Sequence, residues 1–277
     1  MADQLLQSEH AYLRTHKEFP SVWCPGCGIG IVLGAIIRAI SRQRLDKNDV
    51  AMISGIGCAG RIPAYVDFYT AHTTHGRALA FATGLKLARP RLHTVAVMGD
   101  GDALAIGGNH FIHAARRNLD LTAIVVNNGI YGMTGGQYSP TTPLGARATT
   151  APYGHVERSF DMCELAAAAG APFVARSTVY HALELERLIQ RGMEKKGFAV
   201  IEAVSNCHVR FGRMNQMPTA VSMLEWMRDN SITVSAAATS GAEGKIVRGV
   251  LVDREAPEFL AEYGRLQHRA GHAADRA

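Results

Sequence analysis

The chain has 277 residues, of which 47% are hydrophobic, and its 29 Lys and Arg against 24 Asp and Glu give a net charge of +5. This length can bury a large core, and the basic residues are too dispersed to indicate a nucleic-acid-binding surface. No apolar run reaches the ~18 residues of a membrane helix, and the first residues lack the apolar stretch of a signal peptide. We therefore expect a cytoplasmic protein that binds neither membranes nor nucleic acid.

Taken in chain order, apolar periodicity predicts helices and strands that alternate. The predicted helices cover residues 28–41, 76–88, 105–117 and 181–195. The predicted strands, which are short and rich in β-branched residues, cover residues 50–56, 94–98, 121–126, 172–178 and 198–204. This alternation is typical of an α/β fold with a mostly parallel sheet flanked by helices.

The remaining segments have weaker signals. Residues 138–155 are rich in Pro, Gly and Thr and predict a long irregular loop that covers a site or meets another subunit. Residues 231–245 are small and polar and predict a mobile linker, whereas residues 245–253 predict an added edge strand before a frayed tail. We therefore expect one α/β domain over residues 1–230, followed by a linker and C-terminal extension over residues 231–277.

Two polar motifs follow neighbouring predicted strands. A GDGD segment that contains Asp100 follows one strand, and an Asn-Asn pair that ends in Asn128 follows the next. Because consecutive parallel strands end at the same sheet edge, these side chains would lie close together where open α/β sheets bind ligands. Carboxylate and amide oxygens suit Mg²⁺ shared with a phosphate, and the glycines allow close backbone approach. Either motif alone could also be an ordinary turn.

Four of the five cysteines lie beside predicted turns or strand ends. Cys24 and Cys27 form a CxxC motif, which suits two ligands of a metal centre or a redox disulfide. Cys58 and Cys207 follow predicted strands and are expected at the same edge as the GDGD segment. Four thiolates there would suit an iron–sulfur cluster or a structural zinc ion. Cys163 lies in a helix-like run and is expected to be a buried apolar residue.

A family resemblance adds to these observations. The stretches MGDGDALAIGGNH and NNGIYGMTGGQ resemble the thiamin diphosphate motif of the β subunits of 2-oxoacid:ferredoxin oxidoreductases. The resemblance extends from about Phe19 to Asn215. HTTHGRALAFATGLKLARP and NCHVRFGRMN make it strongest to the 2-oxoglutarate:ferredoxin oxidoreductase type. It implies a thiamin diphosphate-binding fold, with thiamin diphosphate, Mg²⁺ and one 4Fe-4S cluster as cofactors.

The resemblance also implies roles for individual residues. The expected Mg²⁺ ligands are Asp100, Asn128 and the backbone carbonyl of Ile130. The expected cluster ligands are Cys24, Cys27, Cys58 and Cys207. The other cofactor-binding positions are expected at Ile56, Gly57, Cys58, Ala59, His75, Gly101, Asp102, Gly132 and Met133. Arg61 is expected to pair with a substrate carboxylate, although an ordinary salt bridge is the alternative, and His75 is the second candidate catalytic residue.

The activity implied is oxidative decarboxylation of a 2-oxoacid, with coenzyme A as acyl acceptor and ferredoxin as electron acceptor. We expect 2-oxoglutarate as the substrate and an α subunit that supplies the glutamate activating the cofactor, in a dimer of αβ units. Pyruvate or a branched-chain 2-oxoacid stays open as the substrate. A non-redox thiamin-dependent decarboxylase subunit and a zinc-stabilised scaffold are the alternative functions. The positive charge favours an acidic electron carrier, with a merely solvated basic face as the alternative.

Overall fold

An eight-stranded sheet is the frame of the described residues, and the strands alternate with helices along the chain. The structure is a computed structural model that describes residues 9–16, 20–242 and 244–274. The strands are β1 (Val50–Ser54), β2 (Tyr69–His72), β3 (His93–Gly99), β4 (Thr122–Asn127), β5 (Phe173–Thr178), β6 (Ala199–Val204), β7 (Ser231–Thr233) and β8 (Ile246–Asp253). The α-helices are α1 (Ile29–Arg42), α2 (Ala78–Ala88), α3 (Gly108–Arg117), α4 (Met162–Ala168), α5 (Ala182–Glu194), α6 (Ala220–Asp229), α7 (Val234–Ser240) and α8 (Phe259–Ala274).

The sheet has the order β2-β1-β3-β4-β6-β5-β8-β7. All pairs from β2 to β5 are parallel, whereas β8 pairs antiparallel with β5 and parallel with β7. The predicted α/β fold with a mostly parallel sheet is therefore confirmed.

Both faces of the central strands are buried. In β3, Val95 and Val97 belong to the core on one face, and Ala96 and Met98 belong to the core on the other. Alternate side chains of a strand point to opposite faces, so a strand covered on both sides reads as a continuous apolar run. Helices α1 and α5 contribute to the first core, and helices α2, α3 and α4 contribute to the second.

The carboxyl ends of the central strands are level with one another. Gly99 at the end of β3 lies beside Val126 of β4, and Asn127 at the end of β4 lies beside Val204 of β6. The segments that follow these strands therefore leave the sheet at one edge. This register brings the GDGD segment next to the Asn-Asn pair and brings the loop before Cys207 to the same side.

The C-terminal region differs from the sequence-based expectations. The prediction of a mobile linker over residues 231–245 is wrong, because β7 and α7 lie within it and Thr233 caps α7 by accepting a hydrogen bond from the Ala236 N–H. The strand predicted at residues 245–253 forms β8, but it lies between β5 and β7 and is not at the sheet edge. The tail after Gln267, which was expected to be frayed, is helical to Ala274, and residues 275–277 lie outside the described residues. The proposed domain boundary after residue 230 stays a prediction.

The predicted helices and the long loop agree with the structure, whereas helix α6 and strand β2 were not predicted from the sequence. The helix predicted at residues 105–117 is α3, preceded by a π-helical turn at Asp102–Ile106. Residues 138–155 form an irregular loop, as predicted. No helix within the described residues is long and apolar enough to cross a membrane, and the cytoplasmic location stays a prediction.

Candidate active site

Three oxygen-bearing groups meet at the ends of β3 and β4. Asp100 directly follows β3, and Asn128 and Ile130 follow β4. One atom of the Asn128 amide lies 2.8 Å from the Ile130 carbonyl oxygen and 3.2 Å from Asp100 Oδ1. If this atom is the amide nitrogen, it donates hydrogen bonds to both neighbouring oxygens. If it is the amide oxygen, three oxygens lie at separations close to the ~2.9 Å between adjacent Mg²⁺ ligands. A bound cation would stabilise the oxygen orientation, so these three residues can hold a divalent cation.

The Asp100 carboxylate is buried, with a relative exposure of 2%. Its second oxygen, Oδ2, accepts a hydrogen bond of 2.7 Å from Thr141 Oγ1. Burial raises the pKa of Asp100, and hydrogen bonds from Ser139 and Thr141 oppose that effect. A cation beside Oδ1 would also favour the charged carboxylate, because opposite charges lower the pKa of an acid.

A first cavity opens beside these oxygens. It is lined by Asp100, Asn128 and Ile130, which we call the oxygen set. Residues 56–59, His75 and residues 131–134 also line it. Every position expected to bind thiamin diphosphate or Mg²⁺ is among its lining residues. A side chain added at Gly57 or Gly99 would meet nothing within 4 Å, so the backbone there borders open space. This cavity can therefore accept a ligand close to the main chain.

The Asp102 carboxylate is held by the protein and is not free to bind an anion. Its Oδ1 accepts a 2.6 Å hydrogen bond from the Gly76 N–H and also contacts His75 Nδ1. Its Oδ2 is buried without a partner, 1.8 Å from where a Cβ on Gly55 would lie. Because a carboxylate repels a diphosphate, the expected contact of Asp102 with this group can be made only by its backbone. Asp102 instead fixes the ring of His75.

Tyr131 is a lining residue that the sequence did not reveal as part of the site. Its hydroxyl donates a 3.1 Å hydrogen bond to the Gly101 carbonyl, and its ring meets His75 edge-on with centroids 6.1 Å apart. A Cβ on Gly101 would lie 2.3 Å from the Tyr131 ring, so this position requires glycine. Burial raises the pKa of Tyr131, as do the negative charges of Asp100 and Asp102. No periodicity or turn signal marks this tyrosine.

A second cavity is lined by Cys24, Cys27, Cys58 and Cys207, and all four thiols are free. Burial raises the pKa of Cys27 to about 11, with further contributions from the other three cysteines. Burial and neighbouring cysteines also raise the pKa of Cys58, and burial raises that of Cys207. These mutual effects indicate that the four sulphurs are neighbours. A bound metal would reverse the shifts, because metals bind thiolates.

The spacing of the four cysteines bears on which metal group they suit. Among the described residues, no three His, Cys, Asp or Glu side chains are close enough to hold one metal ion. Zinc would hold four sulphurs ~2.3 Å from one centre, which requires them to be about 3.8 Å apart. A 4Fe-4S cluster binds each thiolate at a different iron and so needs ligands that are farther apart. The 4Fe-4S cluster that the resemblance implies stays a prediction.

The CxxC loop is fixed to two strand ends. Trp23 Nε1 donates a 2.8 Å hydrogen bond to the Cys58 carbonyl, beyond the end of β1. Asn206 Nδ2 donates a 2.9 Å hydrogen bond to the Gly26 carbonyl, and Asn206 follows β6. These contacts explain why Cys24 and Cys27, far from the other cysteines in sequence, join the same cavity.

The two cavities share a wall. Cys58, Asn128, Gly132 and Met133 line both of them. A Cβ on Gly132 would lie 3.4 Å from Cys207 Sγ and 3.8 Å from Cys58 Sγ. A group bound in the first cavity would therefore lie within one residue layer of a group bound by the cysteines.

Two further predicted residues lie outside this shared region. Arg61 is exposed in the 3₁₀ turn Ala59–Ala64 and lines neither cavity, so its contact with a substrate carboxylate stays a prediction. Cys163 is buried in α4, and its thiol donates a 3.2 Å hydrogen bond to Glu202 Oε2. It does not line the cysteine cavity, in agreement with its predicted role as a buried residue.

Comparison with known proteins gives the family. Residues 55–203 match the family described as thiamine pyrophosphate enzyme, C-terminal TPP binding domain. A 2-oxoglutarate synthase subunit KorB from Methanocaldococcus jannaschii is 50% identical over 258 residues, covering 92% of this chain and 95% of that one. The chain belongs to the KorB family of β subunits. The KorB subunit from Archaeoglobus fulgidus is 58% identical over 203 residues, covering 73% of this chain and 75% of its own.

A solved structure agrees with this family. The 2-oxoglutarate:ferredoxin oxidoreductase from Magnetococcus marinus, with 2-oxoglutarate, coenzyme A and succinyl-CoA bound, is similar with a TM-score of 0.84. It is 35% identical, and the match covers 95% of this chain and 90% of that chain. The predicted family, fold and role as a thiamin-dependent oxidoreductase β subunit are confirmed. The non-redox decarboxylase and the zinc scaffold are therefore set aside.

Proposed function

We propose that this chain holds thiamin diphosphate with Mg²⁺ and a 4Fe-4S cluster in an enzyme that oxidatively decarboxylates 2-oxoglutarate. In this reaction coenzyme A accepts the acyl group as succinyl-CoA, CO₂ is released and two electrons pass to ferredoxin. The single observation that carries the proposal is the wall shared by the oxygen-lined and cysteine-lined cavities. The ligands bound in the similar Magnetococcus marinus enzyme support the choice of substrate and of coenzyme A.

The oxygen set is the proposed Mg²⁺ site. Asp100 Oδ1, the Asn128 amide oxygen and the Ile130 carbonyl would occupy adjacent positions around the ion. Mg²⁺ accepts few protein ligands and completes its shell with water and phosphate oxygens. The backbone N–H groups of Gly101 and Asp102, where the helical turn begins, are the proposed contacts of the diphosphate.

When bound, thiamin diphosphate supplies a thiazolium that takes up the electrons released with CO₂, and the cluster receives them one at a time. The contribution of the chain is to hold the two groups close together. Gly132 leaves the space between the cavities free of a side chain, and Met133 lines both of them. Arg61 follows Cys58 by three positions, and its exposed guanidinium is available for the distal carboxylate of 2-oxoglutarate.

An α subunit is the proposed partner over the first cavity. No glutamate is among the described residues that line this cavity, so the residue expected to activate the cofactor must come from elsewhere. Met133 and Ile56 at the cavity are 42% and 37% exposed, which suits cover by another chain. We propose the same dimer of αβ units that the resemblance implies.

Ferredoxin is the proposed electron acceptor. Cys24 is the exposed member of the four cysteines, and the chain carries a net charge of +5. An acidic carrier would be attracted to such a surface.

The test is anaerobic purification of the αβ complex, followed by analysis of bound metals and assay of acceptor reduction. We expect iron and sulfide at about four each per β chain, with little zinc. We expect 2-oxoglutarate with coenzyme A to reduce ferredoxin and pyruvate to do so far more slowly. Stoichiometric zinc without iron would contradict the cluster, and a preference for pyruvate would contradict the substrate.

A further inference from the structure

A buried turn in the long irregular loop lies against the proposed cation site. The turn Ser139–Thr142 has three polar residues that are almost fully buried: Ser139 at 1%, Thr141 at 7% and Thr142 at 0% relative exposure. Thr142 Oγ1 donates a 2.7 Å hydrogen bond to the Gly129 carbonyl and accepts a 2.8 Å bond from the Ser139 N–H. The turn is therefore fastened to the segment that follows β4.

Because the turn is held in this way, the Thr141 hydroxyl contacts side chains at the ends of both β3 and β4. Its Oγ1 lies 2.7 Å from Asp100 Oδ2 and 2.9 Å from Asn127 Oδ1. A hydroxyl has one hydrogen, and the nearer, charged acceptor takes it. Asn127 Oδ1 is still satisfied, because it accepts a 3.2 Å hydrogen bond from the Gly129 N–H. The Ser139 hydroxyl, 3.2 Å away, can donate to Thr141 in turn.

We propose that Thr141 is a positioning residue for the cation ligand Asp100. Its hydroxyl holds Oδ2, so that Oδ1 stays directed at the Asn128 amide oxygen and the Ile130 carbonyl. The terminal torsion of an aspartate is broad and roughly two-fold, so the side chain alone does not fix this orientation. The inference rests on the proposed function, since the cation it serves is the Mg²⁺ of that site.

The hydroxyl of Thr141, rather than its shape, is what the proposal requires. Valine has nearly the same shape, so Thr141→Val would preserve the packing of the turn. It would remove the 2.7 Å donor from the buried Asp100 Oδ2 and free the carboxylate to rotate away from the ion. Serine would keep the donor and lose only a methyl group.

The test compares variants in the complete αβ complex, purified anaerobically. Thr141→Val and Thr141→Ser are the test pair, and Thr122→Val is the matched control. Thr122 is a buried threonine at the start of β4, and its hydroxyl donates a long 3.4 Å hydrogen bond to the Gly192 carbonyl. The readout is the Mg²⁺ concentration that gives half-maximal thiamin diphosphate binding in equilibrium dialysis, with thermal unfolding of the ligand-free complex measured in parallel.

We expect Thr141→Val to raise this Mg²⁺ concentration about 10- to 100-fold, the usual effect of losing a hydrogen bond to a metal ligand. Thr141→Ser and Thr122→Val should stay within about threefold of the wild type, and saturating Mg²⁺ should restore full binding to Thr141→Val. If Thr141→Val does not assemble, Thr141→Ala is measured against Thr141→Ser with the same expectation.

Two results would overturn the inference. One is a Thr141→Val complex that needs no more Mg²⁺ than the wild type, and the other is an equal shift in Thr122→Val. Failure of the proposed function would be distinct, because the wild-type complex itself would then bind thiamin diphosphate without dependence on Mg²⁺.

Discussion

The oxygen set and the cysteine cavity lie on either side of one wall but are held in different ways. Asp100 and Asn128 follow level strand ends, and the Thr141 hydroxyl holds the Asp100 carboxylate before any ion binds, whereas the ion is needed to keep the Asn128 amide oxygen turned toward it. The cysteines come from loops, and burial raises the pKa of Cys27, Cys58 and Cys207 and so favours their protonated form. The comparison teaches that the fold positions the Asp100 carboxylate in advance, whereas the bound group must complete the cysteine site.

The largest expected effect comes from removing a cysteine at the shared wall. Cys58→Ser should abolish the cluster and lower ferredoxin reduction by at least about a hundredfold, because four thiolates are required to hold it. Mg²⁺-dependent binding of thiamin diphosphate should persist. Iron analysis and dialysis on the same sample measure both properties.

Cys163→Ser is the control for this variant, because Cys163 is buried outside the cavity and serine can keep the hydrogen bond to Glu202. Its iron content should equal that of the wild type. Loss of thiamin diphosphate binding in Cys58→Ser would show that the two sites do not form independently.

The reverse experiment alters the cation site. Asp100→Asn keeps the shape of the side chain but removes its charge, and should weaken Mg²⁺-dependent binding of thiamin diphosphate by at least about a hundredfold. Iron content should not change, since the cysteines do not depend on this carboxylate. A complex that loses iron together with the cofactor would contradict the separation of the two sites.

A moderate effect is expected from the buried network behind the cation site. Arg176 Nε donates a 2.5 Å hydrogen bond to Glu202, whose other oxygen accepts a 2.6 Å bond from Asn127 Nδ2. Arg176→Met leaves the Glu202 charge unpaired and should lower the free energy of unfolding by about 3 kcal/mol. A lower urea midpoint of the complex measures this effect.

Arg191→Met is the matched control, because the ion pair of Arg191 with Asp253 is half exposed. It should cost less than about 1 kcal/mol. Equal effects of the two substitutions would indicate that the buried network does not stiffen this side of the site.

The cysteine site is also expected to respond to pH, gradually and without loss of a ligand. The pKa of Cys27 is raised to about 11, so the thiol is protonated at neutral pH and must release a proton when it binds iron. Iron binding to the iron-free complex should therefore strengthen between pH 7 and 9, by up to about tenfold per pH unit for each such thiol. Competition with an iron chelator measures it, and affinity that falls as the pH rises would contradict the cysteine assignment.

The sequence allowed prediction of those features that depend on strands. The β-branched runs before Asp100 and Asn128 reveal two parallel strands, and level strand ends follow from that topology. The same reasoning brings Cys58 and Cys207 to one edge. Motif resemblance was needed to add Ile130, because a backbone carbonyl has no signature in residue type.

Features that depend on loops and tertiary contacts could not be predicted. Nothing in the composition of residues 138–155 indicates that Thr141 folds back to Asp100, since an irregular loop has no periodicity. The contact of Asp102 with the diphosphate stays a prediction, but no sequence signal revealed that its carboxylate packs against Gly55 and accepts a hydrogen bond from the Gly76 N–H. The segment after Asn230 was too small and polar to suggest a strand, and β7 exists because β8 pairs with it. Thr233 before a run of alanines was the missed sign of a capped helix.

The most direct test of the account is an EPR spectrum of the anaerobic αβ complex before and after 2-oxoglutarate and coenzyme A are added. The account predicts a reduced-cluster signal that depends on substrate in the wild type. The signal should be absent in Asp100→Asn, even though that variant keeps its iron. A cluster that substrate never reduces, or one that is reduced equally well in Asp100→Asn, would contradict transfer of electrons across the shared wall.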